Sequence, residues 1–192
     1  MARLPRLHLQ HKGSQGIMRG ARTTSAKPAC PPLRDTPIRG MSVTYPRLGV
    51  RAVLLHENRL LLVNAWPGEA SALWCAPGGG VERGTDLPGN LRRELAEETG
   101  LDIEVGAPCL VNEFHDPLGS FHQVEVFFRC RLASALPHGW PDNAPADPSR
   151  IVTRRRFFAR DELADLRLKP DALPAVAWGE GLSYDPLEPI TR

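Results

Sequence analysis

The residues best suited to chemistry are three glutamates, Glu94, Glu97 and Glu98, which follow the glycine-rich stretch Gly78–Gly80. Glycine costs backbone entropy in a helix or strand, so this stretch predicts a loop that bends tightly or approaches another group closely. Three carboxylates and a nearby backbone carbonyl form an all-oxygen ligand set, which suits Mg²⁺ or Mn²⁺ and not zinc. Such ions usually also bind phosphate oxygens of a substrate. The stretch therefore indicates a metal site for phosphate chemistry.

The spacing of leucines predicts that the glutamates lie on a helix. Leu87, Leu91 and Leu95 recur every four residues, and Gly100 follows them as a stop signal. We therefore predict a helix from about Leu87 to Thr99.

On this helix the carboxylates border the apolar stripe. At 100° per residue, Glu94 and Glu98 lie close to the leucine direction and Glu97 lies to one side. Like charges one turn apart repel each other, and a bound cation would remove that repulsion. The alternative interpretation is a solvated helix face on which Arg93 pairs with Glu97.

These residues resemble the Nudix box, Gly-x5-Glu-x7-Arg-Glu-U-x-Glu-Glu-x-Gly-U, in which U is a bulky aliphatic residue. The chain matches eight of the nine specified positions, with Gly79, Arg93, Glu94, Leu95, Glu97, Glu98, Gly100 and Leu101. Thr85 stands where the pattern has its first Glu.

Resemblance to the Nudix family implies an α/β fold, specifically an α/β/α sandwich with a mixed β-sheet. It also implies a divalent-metal-dependent pyrophosphohydrolase (a hydrolase acting on phosphoanhydrides) with Mg²⁺ or Mn²⁺ as cofactor. The expected substrate is a small-molecule nucleotide, in which a nucleoside diphosphate is linked to another group, as in a nucleoside triphosphate.

The matching positions carry the family's residue roles. The resemblance assigns catalysis to Arg93, Glu94, Glu97 and Glu98, and it assigns the metal to the three glutamates and the Gly78 carbonyl. Arg93 would orient the helix glutamates by pairing and is not a proposed proton donor.

Other site residues are predicted outside this set. We predict substrate contacts for Gly79, Gly80 and Trp74, although packing is the alternative role of the tryptophan. The general base stays undecided between Glu94 and four acids outside the box, namely Glu113, Glu125, Asp142 and Asp147.

The departure at Thr85 keeps a rival function from another class open, a weakened Nudix-fold protein that binds nucleotides as a sensor or regulator. Thr85 or Asp86 would cap the helix. Asp86 or Glu82 would supply the missing negative charge from a neighbouring position.

Composition indicates one folded domain with tails in a chain of 192 residues, of which 42% are hydrophobic and 24% charged. Residues 1–40 hold eight Lys or Arg and one acid, a net charge of +7, whereas the remaining 152 residues hold 16 basic and 21 acidic groups, a net charge of −5. We predict a disordered basic extension at 1–44, a hydrolase domain at 45–179 and a loose tail at 180–192. The extension could be a solvated tail, a transit peptide or an over-extended gene start, and we favour Met41 as the natural start.

Within the domain, local patterns predict the element order. Strands at 48–56 and 60–63 and a short strand at 73–76 precede the helix. After it we expect a long hairpin of 102–114 and 121–132, a strand at 151–158 and two short helices.

The remaining features concern location and partners. The four cysteines show no Cys-x-x-Cys spacing, so we expect reduced thiols in a cytoplasmic protein. No apolar run approaches the roughly 18 residues of a membrane span. We expect no membrane and no stable nucleic-acid partner, and we leave a homodimer open.

Overall fold

The computed structural model describes residues 45–66 and 72–190. The predicted disordered extension at 1–44 lies outside these residues. The described residues form eight strands, two α-helices and one 3-10 helix. The strands are β1 (Arg47–His56), β2 (Arg59–Asn64), β3 (Trp74–Cys75), β4 (Gly78–Gly80), β5 (Ile103–His115), β6 (His122–Leu132), β7 (Arg155–Phe158) and β8 (Ser183–Pro189). The helices are α1 (Leu87–Thr99), the 3-10 helix (Asp161–Asp165) and α2 (Leu173–Ala177).

The strands form a mixed sheet with β1 near its centre. The order along the main path is β3-β2-β1-β6-β5-β8, with β4 added to β1 and β7 added to β2. β1 runs parallel to β6 and antiparallel to β2 and β4, whereas β5 and β6 form the long hairpin expected from the sequence. The mixed sheet is confirmed.

Each face of the sheet buries its own hydrophobic core because side chains alternate along a strand. In β1, Val50, Ala52 and Leu54 pack with Leu91 and Leu95 of α1. On the opposite face, Val53 belongs to the cluster that includes residues of the 3-10 helix and α2. Helices therefore cover both faces, which confirms the α/β/α sandwich.

The glycine stretch expected to be a loop is the strand β4, which corrects the sequence analysis. It pairs antiparallel with residues 49–51 of β1. Gly78 has a φ of 136°, and a Cβ there would lie 2.2 Å from the Val50 carbonyl oxygen. Only glycine tolerates both conditions. Strand pairing uses backbone groups alone, so residues without side chains can form it while showing no strand pattern in the sequence.

The prediction of a loose tail at 180–192 is wrong, because β8 lies within this segment. β8 runs parallel to β5, and the Ile190 N–H continues the contact by donating to the His115 carbonyl over 2.8 Å. The Lys169 ammonium also lies 2.7 Å from the Glu188 carboxylate. Without β8, β5 would be an edge strand with unpaired backbone N–H and C=O groups. β8 pairs with these groups through its own backbone, so the pairing does not depend on the side-chain pattern of β8.

Asn64 ends β2 and organises the chain that enters β7. It is buried, and its Nδ2 donates to the carbonyls of Trp66 (2.5 Å) and Ile151 (2.7 Å). Its Oδ1 accepts from the backbone N–H groups of Thr153 (2.9 Å) and Arg154 (2.7 Å). The strand predicted at 151–158 therefore begins only at residue 155, because much of the preceding backbone bonds to a side chain.

Replacing Asn64 with alanine should destabilise the protein by about 3 kcal/mol, because two carbonyls and two N–H groups lose their hydrogen bonds to a buried amide. Urea unfolding would measure the change. The control is Asn143→Ala, since the Asn143 amide donates only a 3.4 Å exposed bond to the His138 carbonyl. Equal losses in both variants would contradict this account of Asn64.

Candidate active site

Helix α1 has the predicted bounds, and local signals explain both ends. The Asp86 carboxylate accepts from the Gly89 N–H over 2.7 Å, so Asp86 rather than Thr85 is the N-cap. Gly100 ends the helix in the left-handed conformation with a φ of 69°. Burial of Leu91 and Leu95 fixes the rotation of the helix about its axis. This rotation directs two of the three predicted glutamates toward β4.

Glu94 and Glu98 meet the glycine strand from adjacent turns of α1. The Gly78 N–H donates to Glu98 Oε2 over 2.8 Å. A Cβ on Gly79 would lie 2.5 Å from the carboxyl carbon of Glu94, so the absence of a side chain is what admits this carboxylate. Gly80 instead faces Arg47, whose guanidinium would lie 2.4 Å from a Cβ there. The structure thus brings together Gly78, Gly79, Glu94 and Glu98.

Burial raises the pKa of Glu98 to about 7. The positive charge of Arg51 and the Gly78 N–H act in the opposite direction, and the negative charges of Glu94 and Asp147 add to the rise. Removing a carboxylate from water disfavours its charged form, and nearby like charges do the same. The site therefore concentrates negative charge that is only partly compensated by the described residues.

Glu97 has a different environment from the other two glutamates. Arg93 donates to Glu97 Oε2 over 3.0 Å and to Glu94 Oε1 over 2.7 Å. The side chain of Glu97 is 41% exposed, whereas that of Glu94 is 15% exposed. The expected pairing of Arg93 is present, since opposite charges one turn apart attract each other. Metal binding by Glu97 stays a prediction.

The loop before α1 is held by Asn90, which the sequence analysis missed. Asn90 is fully buried; its Oδ1 accepts from the Glu82 N–H over 2.8 Å. Its Nδ2 donates to the carbonyls of Thr85 (3.1 Å) and Asp86 (2.9 Å). The signal was a polar residue next to the buried leucine stripe, where an amide needs partners. The loop so held places the Glu82 carboxylate 3.6 Å from Arg93.

A second missed group is a buried ion pair beside Gly78. The Arg51 Nε donates to Glu125 Oε1 over 2.7 Å, and Gln123 donates to the same oxygen over 2.6 Å. Burial alone would lower the pKa of Arg51, but the negative charges of Glu125, Cys75 and Glu98 and the hydrogen bond to Glu125 together outweigh it and raise that pKa above its ordinary value. No local pattern signals the pair, because Arg51 and Glu125 lie 74 positions apart.

The candidate bases outside the box are held in different ways. Glu125 is committed to Arg51, and Glu113 accepts from the Tyr184 hydroxyl over 2.8 Å. Asp147 accepts from the N–H groups of residues 149, 151 and 152 and from the Ser149 hydroxyl. Burial raises the pKa of Asp147, but these hydrogen bonds together outweigh burial and lower it. Such a carboxylate binds a proton poorly.

A cleft of about 550 Å³ opens between Trp74, residues 141–144 and the segment that enters β7. Its lining residues are Trp74, Pro141, Asp142, Ala144, Thr153, Arg154, Arg155 and Arg156. Trp74 precedes Gly78 by four residues, so their Cα atoms lie within about 13 Å of each other. The Arg154 guanidinium lies 5.2 Å from the Trp74 ring centroid, and Phe158 meets that ring edge-on at 4.9 Å. The described contacts of Trp74 are therefore with protein groups, as expected for the alternative role of this tryptophan in packing.

The fit of a metal ion can be judged from the donor atoms. Within residues 45–66 and 72–190, no three acidic, histidine or cysteine side chains are already gathered around one point. Glu94 and Glu98 nevertheless converge on β4, and Glu98 is half-buried with its pKa raised beside like charges. Carboxylate and carbonyl oxygens are the ligands that hard divalent cations prefer. The donor set therefore fits such a cation.

Comparison with known families identifies the domain. A model of the NUDIX domain matches residues 45–179, which contain the glycine strand and the helix glutamates. The chain belongs to the Nudix family. The resemblance drawn from residues 79–101 is thereby confirmed. No helix among the described residues is long and apolar enough to cross a membrane.

Two curated Nudix relatives illustrate the sequence similarity. YjhB of Bacillus subtilis, provisionally named an ADP-ribose pyrophosphatase, is 32% identical over 127 residues, 65% of this chain and 55% of YjhB. The human protein named nucleoside diphosphate-linked moiety X motif 6 is 29% identical over 167 residues, 77% of this chain and 53% of that protein. The chain thus spans about half the length of these relatives.

A solved structure shows the likeness of fold. The crystal structure of a UDP-X diphosphatase matches with a TM-score of 0.56 and 22% identity, covering 77% of this chain and 71% of that chain. The likeness agrees with the mixed sheet and helices of the Nudix fold.

The environment of Glu98 predicts how stability depends on pH. Its pKa is about 7 in the folded protein against an ordinary value of 4.5, so the folded state binds this proton more tightly. The stability due to the proton is fully present below about pH 4.5 and is lost as pH rises through 7. The loss should be on the order of 3 kcal/mol.

Urea unfolding with a chelator present at pH 5 and pH 8 would measure this effect in wild type and Glu98→Gln. The variant should lose most of the pH dependence. Glu104→Gln is the control, because Glu104 is an exposed carboxylate paired with Arg131. An unchanged pH dependence in Glu98→Gln would contradict the assignment.

Proposed function

We propose that this chain is a divalent-metal-dependent pyrophosphohydrolase that cleaves the phosphoanhydride of a nucleoside diphosphate linked to another group. The observation that carries the proposal is the convergence of Glu94 and Glu98 on the glycine strand. Membership of the Nudix family and the names of its relatives support it.

Each residue has a proposed task. Glu94, Glu97, Glu98 and the Gly78 carbonyl would hold Mg²⁺ or Mn²⁺, which neutralises phosphate oxygens and makes water more acidic. Arg93 orients the carboxylates of Glu94 and Glu97 through the two hydrogen bonds that it donates. Gly79 and Gly80 keep this surface open to phosphate groups, because any side chain on Gly79 would displace Glu94.

We propose Glu94 as the general base that takes a proton from the attacking water. Its carboxylate lies against β4, where the phosphoanhydride would be bound. Glu125 and Asp147 are committed to strong hydrogen bonds, and Glu113 bonds to Tyr184 of β8. Asp142 is exposed and lines the cleft instead.

The cleft is proposed to bind the part of the substrate that lies beyond the scissile bond. Three arginines and one aspartate line it, and Arg156 is paired with Glu162, so Arg154 and Arg155 leave a small positive charge suited to an anionic or phosphorylated moiety. Burial lowers the pKa of Arg155 while the charges of Asp147 and Glu98 oppose that change, so the cleft lies within electrostatic reach of the carboxylates. Trp74 contributes as the support on which the Arg154 guanidinium lies.

Loss of a direct ligand should reduce turnover strongly. We expect Glu98→Gln to lower kcat on the order of 10³-fold, which corresponds to about 4 kcal/mol of transition-state stabilisation. Chelation of the metal should abolish turnover by the wild-type protein. The measurement is product release from ADP-ribose, UDP-sugars, dinucleotides and nucleoside triphosphates with Mg²⁺ or Mn²⁺. Glu104→Gln is the charge-matched control and should keep wild-type activity. A wild-type rate that survives chelation would exclude the metal mechanism.

The cleft can be tested separately from the metal site. Arg154→Ala should raise KM about tenfold with little change in kcat, because one cation–π-supported charge is lost at a distance from the reacting atoms. Arg160→Ala is the matched control, since Arg160 lies 5.7 Å from the Trp178 ring outside the cleft. Equal KM values for the two variants would remove the cleft from the substrate site.

The rival sensor function makes a distinct prediction in the same screen, nucleotide binding without turnover. The Glu82 carboxylate supports turnover instead, because it lies near Arg93 and supplies negative charge that Thr85 lacks.

A cytoplasmic location stays a prediction. Its support is that Cys75, Cys109 and Cys130, the cysteines among the described residues, are free thiols. Burial raises the pKa of Cys75 to about 12, so this thiol is a poor nucleophile despite its place beside the glycine strand. A homodimer also stays a prediction.

A further inference from the structure

The carbonyl oxygen of Gly78 already accepts a hydrogen bond from a buried cation. Arg51 Nη1 donates to it over 2.7 Å and approaches the Ala76 carbonyl at 3.3 Å, while Nε donates to Glu125. The side chains of Arg51 and Glu125 are only 19% and 5% exposed. One guanidinium thus bonds to three groups from two separate segments of the chain, residues 76–78 and strand β6.

We infer that Arg51 is a positioning residue that fixes the direction of the Gly78 carbonyl, with Glu125 and Gln123 holding the guanidinium in place. This inference rests on the proposed metal site, in which that carbonyl is one ligand. A carbonyl oxygen has two lone pairs, so it can accept from Arg51 and still bind a metal ion.

The chemistry of the pair supports positioning over simple charge attraction. A buried cation next to a metal ligand weakens metal binding through repulsion, so its charge alone is a disadvantage there. Glu125 offsets that charge, and Gln123 in turn bonds to Glu125. The useful property of arginine is then its rigid planar guanidinium, which can donate hydrogen bonds to a carboxylate and to backbone carbonyls in one geometry.

Two opposing effects make the test decisive. If Arg51 acted only through its charge, then Arg51→Lys, which keeps the charge, and Arg51→Met/Glu125→Gln, which removes both charges, would bind metal like the wild type. If Arg51 positions the carbonyl, both variants should bind more weakly. Loss of an outer partner of a metal ligand typically weakens affinity by about 10- to 100-fold.

The experiment measures the Mn²⁺ dissociation constant of the full chain from the electron paramagnetic resonance signal of free Mn²⁺. We expect an increase of about tenfold or more in both variants. Arg131→Met is the matched control, since it breaks the exposed Arg131–Glu104 pair, and it should leave the constant unchanged. Circular dichroism establishes that each variant is folded, and Arg51→Lys serves if the double variant does not fold.

A second measurement needs no metal. Hydrogen–deuterium exchange of the backbone amides of residues 78–80, with a chelator present, should become about tenfold faster in Arg51→Lys, because local opening exposes these amides. Wild-type Mn²⁺ affinity together with wild-type exchange in both variants would overturn the inference. If the wild type itself binds no Mn²⁺, the proposed metal site fails, and the exchange experiment alone decides whether Arg51 positions this strand.

Discussion

The site depends on how a strand without side chains is kept in place. Gly78 is bonded at both of its backbone groups, by Glu98 at the N–H and by Arg51 at the carbonyl. These two side chains come from α1 and β1, which also pack against each other through the core. The positions of the helix, the central strand and the glycine strand are therefore coupled. A change in any one of them moves the carboxylates relative to the backbone that they face.

Charge balance imposes a second constraint on the same groups. Burial raises the pKa of Glu98 even though the Arg51 charge lowers it, because desolvation outweighs that charge. Buried ion pairs often contribute little net stability, since desolvation offsets their attraction. Their geometry is nevertheless specific, because a misplaced partner leaves a buried charge uncompensated. The Arg51–Glu125 pair therefore contributes geometry more than stability.

What the sequence could predict depends on whether a signal is local. The bounds of α1 followed from leucine spacing, an N-cap at Thr85 or Asp86 and a stop at Gly100, all within one stretch of the chain, and the structure assigns the cap to Asp86. The strands β4 and β8 could not be predicted, because their pairing uses backbone groups and their partners lie far away in sequence. Arg51 was missed for the same reason, and Glu125 was named only as a candidate base. The pairing of Glu97 with Arg93 was anticipated, but helical spacing alone does not decide between a metal and an arginine as the partner of Glu97.

Thr85 shows how the structure meets a requirement that the motif states by position. Arg93 lies near three carboxylates, those of Glu82, Glu94 and Glu97, so its charge is compensated without a glutamate at residue 85. Glu82 comes within 3.6 Å of Arg93, and the preceding loop is held by the buried Asn90 amide, which accepts from the Glu82 N–H. Glu82 is exposed, so the interaction is weaker than a buried pair would be. A motif specifies residue types at fixed positions in the sequence. The charge of Arg93, in contrast, can be compensated by any carboxylate that lies near it in the fold. Thr85 in place of the glutamate therefore weakens the compensation of the Arg93 charge but does not remove it.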